Sequence, residues 1–489
     1  MMTRRDFAAA LTAGAGLLAR ASNQIATVVV TLVATRYLAP AEFGVFALAS
    51  IAITLIRTLL YSGAFEYLLK ARDAGDCSSE SLAVNLALAV GLGVLLGAIA
   101  LIAGRLFAAD AIALALLAML PSNLVSAVAA WRESLLLRTG RLRLYYALTT
   151  LAELAAMVLA IALLFAGFKV AALIWQLYAR NLATLILYML ASPAIYSRRF
   201  SRARFVAVLR WSTSRYAAML VGFGATYSAD LFLGIFLSPA ATGLFRASSR
   251  IVTAVTDMFN QPARTFAMTI FSQRAAAAQR SDTMWPVFFV MAAAVGWAAL
   301  VGLAAVATAV VPVLLGPQWQ AATALVPLLC LARAFSLFDT VASTVLVAYD
   351  EQRPLFYIQC TNAAVGVALI ALSAPFGLVA VTISTAVSTC LGSTILAVVA
   401  LRRLPGSQAM LRQTMPALIP PLVATAAGAM AGRAMATGLG LGTAQAAVLA
   451  IASGIVAWLL ALIAIRHRLL DMILHLRGDP PHPATALAD

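Results

Sequence analysis

The chain has 489 residues, 63% of them hydrophobic and only 11% charged, with a mean hydropathy of +0.96. A soluble domain carries about 25% charged residues, so composition excludes a water-soluble fold and marks an integral membrane protein. The formal net charge of +16 then reads as positive-inside anchoring of membrane helices and not as a nucleic-acid surface.

The opening MMTRRDFAAALTAGAGLLARASNQ has the marks of a cleavable export signal: the pair Arg4-Arg5, Phe7, a weakly apolar run and Ala19-Arg20-Ala21. The apolar run does not stop there but continues through IATVVVTLVAT. The expectation is therefore a retained membrane helix over Gly14–Tyr37, with Arg4 and Arg5 as its inside anchor. Further apolar segments of spanning length follow at 41–69, 80–104, 111–137, 144–166 and 170–192. After a basic joint come 211–236, 239–272, 285–315, 319–348, 354–374 and 378–401, then 414–436 and 440–465. That is fourteen spans of roughly the ~20 residues a bilayer requires. The period-two alternation of a membrane barrel is missing, so the expected fold class is an all-α polytopic membrane protein.

Basic residues orient this map. With the N-terminus inside, the inner segments hold twenty-one lysines and arginines, among them Arg198, Arg199, Arg202, Arg204 and Arg210; the outer ones hold four, Arg36, Arg105, Lys169 and Arg433. Such a bias places both termini in the cytoplasm. The four cysteines show no paired spacing, and His467, His475 and His482 all lie at the C-terminal end. No histidine is thus placed in a span to bind metal or relay protons.

The sequence repeats. Leu38-Ala-Pro-Ala-Glu-Phe-Gly-Val-Phe aligns without a gap on Leu237-Ser-Pro-Ala-Ala-Thr-Gly-Leu-Phe, and Leu144-Tyr145-Tyr146 matches Leu355-Phe356-Tyr357. The copies lie on spans two and eight and on spans five and eleven. A repeat of six spans, an even number, gives two halves of one orientation with a site between them. The expected organisation is an N-lobe at 1–197, a basic linker at 198–210 and a C-lobe at 211–403. Two accessory helices follow at 404–466, and a cytoplasmic tail at 467–489.

From RYLAPAEFGVFALAS onward the chain resembles bacterial polysaccharide exporters, the O-antigen and exopolysaccharide flippases of the multidrug/oligosaccharidyl-lipid/polysaccharide superfamily. YSADLFLGIFLSPAATGLFRASSRI, LLGPQWQAATALVPLLCLARAF and LVAYDEQRPLFYIQCTNAAVGVALI carry the same likeness. The resemblance implies two six-helix lobes alternating between inward- and outward-open, plus two accessory helices. It also implies an undecaprenyl-diphosphate-linked oligosaccharide as cargo, carried from the inner to the outer leaflet. Expected partners are that lipid-linked cargo, membrane lipids and polysaccharide-assembly proteins, in a bacterial inner membrane.

Charges inside the spans suggest where cargo sits. An arginine at the centre of a spanning helix costs about 2.5–3.5 kcal/mol, so it should face water or a partner. Arg20, Gln24, Thr27 and Thr31 form one polar stripe; Ser50, Thr54, Arg57 and Tyr61 form a second with the same spacing. Arg246, Arg250, Thr253, Asp257, Gln261 and Arg264 form a third. Arginine donates paired hydrogen bonds to phosphate oxygens and stays charged, which suits a diphosphate headgroup. The resemblance to lipid II flippases carries diphosphate binding to Arg20, Arg57 and Arg250. The alternative for Arg20 and Arg264 is that they snorkel to the membrane interfaces. Arg132-Glu133, Arg333 with Asp339, and Glu153 with Arg180 read as structural, neutralising one another or charges across a lobe. Glu66 is expected to reach water.

Some members of the superfamily bind sodium in the C-lobe, and the resemblance assigns Asp230, Asn362 and Thr385 as hard oxygen ligands. Gly366 stands where a second carboxylate would strengthen that likeness. A proton on Asp230, or its pairing with an arginine, fits the residues equally, so Na+ and H+ both remain open as coupling ion. No cofactor is expected. Two other functions compete: a multidrug exporter of the same superfamily, and a membrane-embedded sugar polymerase. The arginine excess is wrong for cationic drugs. The joints are too short for a catalytic loop and show no phosphate-binding GxxxxGK[ST], so the chain is not expected to be an enzyme.

Overall fold

The computed structural model describes residues 4–71, 77–107, 109–192, 200–276, 284–403 and 407–467, and every regular element among them is a helix. These are α1 (Arg4–Tyr37), α2 (Pro40–Leu60), α3 (Ala64–Lys70), α4 (Ser78–Phe107), α5 (Asp110–Met119), α6 (Ser122–Arg138), α7 (Leu142–Phe165), α8 (Lys169–Ala191) and α9 (Arg202–Phe236). Then come α10 (Pro239–Ala276), α11 (Met284–Leu315), α12 (Leu325–Ala348), α13 (Gln352–Ser373), α14 (Leu378–Arg403), α15 (Ser407–Thr414), α16 (Ile419–Gly438) and α17 (Thr443–Ala464). Thirteen stretches of the described chain are long and apolar enough to cross a membrane. The remaining expected span is α10, 38 residues long; its charged and polar stripe makes it less apolar than the others, and Pro262 in its interior removes one backbone donor.

Several of the expected spans are not continuous α-helix. The span at 41–69 is α2 plus α3, interrupted at Tyr61-Ser62-Gly63, where Gly63 has φ 48°. A Cβ at Gly63 would meet the Tyr216 ring and Ser212, so the break needs glycine for both its conformation and its neighbour. The span at 111–137 is α5 plus α6, divided at Leu120-Pro121, and the span at 319–348 opens with a 3-10 stretch over Pro317–Ala324. Each break leaves the apolar run intact, so hydropathy does not register it.

By packing, the chain divides within α10, at Gly243/Leu244. In the first unit α7 packs on α8 and α1, α6 on α8 and α4, and α2 on α5. The same unit includes α9, which packs on α2, α3 and α4. The basic stretch expected as a linker is helical from Arg202 on. Ser201 caps it, its hydroxyl accepting from the Arg204 N–H at 3.5 Å. Three contacts hold α9 in this unit. Arg215 forms a two-pronged pair with Glu66 at 2.6 and 2.7 Å. Arg204 and the Ser201 N–H both donate to the fully buried Glu80, at 3.2 and 2.9 Å. The Ala64 N–H donates to the Tyr216 hydroxyl at 3.3 Å. Arg198 and Arg199, and the tail beyond His467, lie outside the described residues.

The second unit packs α12 on α14 and α11, α13 on α14, and α16 on α17, with α11 against both of the last two. Its core is aromatic: Phe289 stacks on Phe338 at 4.2 Å between ring centroids and meets Trp297 edge-on at 5.7 Å. The Trp458 indole N–H donates to the Ala294 carbonyl at 3.1 Å, tying α17 to α11. Reporter fusions at Arg204 and Arg403 are expected to read cytoplasmic, and fusions at Gly316 and Phe376 periplasmic. A periplasmic reading at Arg204 would break the helix count.

Candidate functional site

In the first unit the stripes on α1 and α2 are partly satisfied by their own backbone. Thr27 donates to the Asn23 carbonyl at 3.0 Å and Thr31 to that of Thr27 at 2.8 Å. Ser50 and Thr54 do likewise on α2, each at 2.7 Å. These bonds lower the cost of a hydroxyl in hydrocarbon and leave the charged members as the chemically distinctive ones. Arg20 is exposed and Gln24 half-buried on α1; Arg57 is half-buried on α2. The Arg57 guanidinium lies over the Tyr61 ring, 5.5 Å from its centroid, a cation–π contact worth about 0.5–1 kcal/mol at an exposed site.

Next to Arg57 is a group that sequence reasoning treated only as one member of an ion pair. Glu133 on α6 is buried. It accepts from the Tyr145 hydroxyl at 2.9 Å, the phenols of Tyr61 and Tyr188 also face it, and Arg57 is within electrostatic reach. Tyr188 shares a 2.7 Å hydrogen bond with Thr149. Arg132, its neighbour in sequence, turns the other way: its guanidinium lies 4.7 Å from the Trp131 ring and reaches Ser192 at 3.5 Å. Adjacent residues on a helix diverge by about 100°, so Arg132 and Glu133 do not face each other. Glu153 and Arg180 approach to 3.9 Å across α7 and α8, as their sequence positions suggested. Glu66 does not merely reach water but holds Arg215.

In the second unit Arg246 and Arg250 are half-buried on α10, and Arg264 is exposed. Asp257 lies within electrostatic reach of Arg333 on α12, whose Nη2 donates to Thr253 at 3.2 Å. Asp339 on α12 is in turn within reach of Arg264. The charges of α10 and α12 thus face each other crosswise. Arg333 and Asp339 are six residues apart, about 9 Å along one helix and outside the i, i+3 and i, i+4 spacings that pair, and so meet partners on α10 instead.

The proposed coupling-ion residues divide as follows. Asp230 on α9 is buried, and its backbone carbonyl accepts from Thr242 at 3.3 Å. Asn362 on α13 rests its amide against Gly392 of α14. Thr385, two turns before Gly392, donates to the Val381 carbonyl at 2.8 Å. An apolar cleft of about 480 Å³ is lined by residues of α10, α11, α16 and α17, among them Met258, Gly302, Thr425 and Trp458.

A helical bundle of this many spans, striped with arginine on otherwise apolar helices, defines a multi-pass membrane protein. Comparison with solved structures gives its fold. A lipid II flippase, MurJ in an inward closed conformation, superposes with a TM-score of 0.73 at 14% identity, covering 93% of this chain and 99% of that one. An inward-facing multidrug resistance transporter of the MATE family and MOP superfamily superposes with a TM-score of 0.61 at 15% identity, covering 79% of this chain and 96% of that one. The model of the family described as "Polysaccharide biosynthesis protein" matches residues 33–324, and the chain belongs to that family. No curated protein matches it in sequence.

Proposed function

We propose that this protein is a flippase for a polyprenyl-diphosphate-linked oligosaccharide. It moves the cargo from the inner to the outer leaflet of a bacterial cytoplasmic membrane by alternating access, in the assembly of capsule, exopolysaccharide or O-antigen. The observation that carries this reading is the set of half-buried arginines, Arg57 on α2 and Arg246 and Arg250 on α10, in a polysaccharide-biosynthesis family member. A diphosphate is a dense anion that must cross ~30 Å of hydrocarbon, and guanidinium forks replace the hydration it loses. The apolar cleft beside α16 and α17 suits the polyprenyl chain, which needs only a dry surface.

The shared MATE fold keeps drug export as the second reading. Basic stripes repel the cationic drugs such a carrier would take, so the anionic cargo is favoured. Asp230, buried on α9, is the proposed anchor of a coupling Na+ or H+. Deletion of the gene is expected to leave one lipid-linked glycan accumulating on the cytoplasmic leaflet, read by mass spectrometry of extracted lipids with leaflet labelling. An unchanged lipid-linked pool together with new drug sensitivity would transfer the assignment to the second reading.

A further inference from the structure

Arg333 lies midway along Pro317–Ala348, a stretch long and apolar enough to cross a membrane, and it is half-buried. A charge at that depth faces a partner or a wet cavity. Packing decides which way it points. The Trp297 indole N–H of α11 donates to the Ala334 carbonyl at 2.8 Å, Phe335 stacks on Trp297 and Phe338 on Phe289. Phe335 and Phe338 lie about 140–160° round the helix from Arg333. The aromatic side of α12 is therefore held on α11, and the arginine is turned away from it, to α10. There its Nη2 donates to the Thr253 hydroxyl at 3.2 Å. That is one bond, to a neutral group, of the several a guanidinium can donate. Among the described residues no carboxylate closes on Arg333 to ion-pair distance. Thr253 is three residues from Arg250, four from Asp257 and seven from Arg246, spacings that share one helix face. Arg333 thus brings a cation from α12 to the striped face of α10, all within the second unit.

We propose that Arg333 is a cargo-binding residue that makes the carrier selective for a diphosphate. The inference rests on the flippase reading above. Arg250 and Arg333 come to the headgroup from two helices, so one fork takes each phosphate, and a monophosphate satisfies only one of them. Arginine suits the position because it keeps its charge even in apolar surroundings. Thr253 aims the Arg333 fork and, being neutral, yields it to a phosphate oxygen without stranding a charge. A carboxylate in ion-pair contact would hold the same donors back.

The test uses the full-length protein in lipid nanodiscs, with farnesyl diphosphate and farnesyl monophosphate as probes and calorimetry as the readout. The wild type is expected to prefer the diphosphate. Arg333→Ala should weaken diphosphate binding about tenfold, the size of one charge-assisted contact, and leave the monophosphate nearly unchanged, so that the preference collapses. Thr253→Val keeps the shape and removes the hydroxyl, and should lose about threefold of the preference. Arg333→Lys should retain part of it, which keeps the test open if the alanine variant does not fold. Unchanged diphosphate binding by a folded Arg333→Ala variant overturns the proposal. So does an equal loss for both probes, which would make Arg333 a structural residue, and so does a wild type that does not distinguish them. A lowered melting temperature repaired by adding Asp257→Asn would make Arg333 a counter-ion and overturn it as well. Failure of the wild type to bind either probe would instead remove the flippase reading beneath it.

Discussion

Arg57→Ala and Arg250→Ala are each expected to abolish glycan export while leaving protein level and membrane insertion near normal. Losing a charge-assisted hydrogen bond costs about 1.5–3 kcal/mol, a factor of about ten or more in binding. A carrier working near half-saturation loses most of its flux over that range. Folding should survive in both cases. Glu133 keeps Tyr145 as donor without Arg57, and Asp257 keeps Arg333 without Arg250. Arg→Lys at either site should rescue export only in part, because an ammonium keeps the charge but loses the planar fork. Arg403→Ala, at the end of α14, should be nearly silent. Export is read by surface polysaccharide staining and protein level by immunoblot of membranes. Normal export from well-expressed alanine variants would place the diphosphate site elsewhere. Loss of export through loss of the protein would assign these arginines to pairing and not to cargo.

The sequence discloses the spans and hides the contacts between them, for a physical reason. Crossing ~30 Å of hydrocarbon imposes a length and a polarity on each segment separately, so Leu142–Phe165 or Thr443–Ala464 can be read without knowing their neighbours. The breaks at Gly63 and Pro121 interrupt backbone hydrogen bonds without interrupting the apolar run, and so escape hydropathy. Partners are set by packing. Glu66 finds Arg215 149 residues away, and the phenols around Glu133 arrive from α2, α7 and α8. The stripe on α10 was legible because 3.6-residue spacing is a property of one helix. Its crosswise pairing with Arg333 and Asp339 was not, because it depends on how α12 is turned.

The internal repeat also has a structural counterpart, and it yields the sharpest stability prediction. Pro40 and Pro239 each open a helix at a first-turn position that needs no N–H donor, and Gly44 and Gly243 follow one turn later. The two copies meet. A Cβ on Gly44 would run into the Pro239 carbonyl and the Gly243 nitrogen, and one on Gly243 into the Pro40 carbonyl. Reciprocal approach of this kind is the small-residue packing by which membrane helices associate. It also allows Cα–H···O contacts of about 0.5–1 kcal/mol each. Gly44→Ala is expected to force α2 and α10 apart where they start and to destabilise the protein by about 1–3 kcal/mol, the usual cost of overpacking. Gly243→Ala should cost a similar amount. The double variant should cost less than the sum, since helices already separated by one methyl accommodate the second. Gly222→Ala is the control: nothing lies within 4 Å of a Cβ there, and in mid-helix alanine should be neutral or stabilising by up to about 1 kcal/mol. Thermal unfolding in detergent, followed by tryptophan fluorescence, separates the two cases. If Gly44→Ala melts with Gly222→Ala, the two prolines and two glycines do not form a packed crossing, and the repeat records ancestry alone.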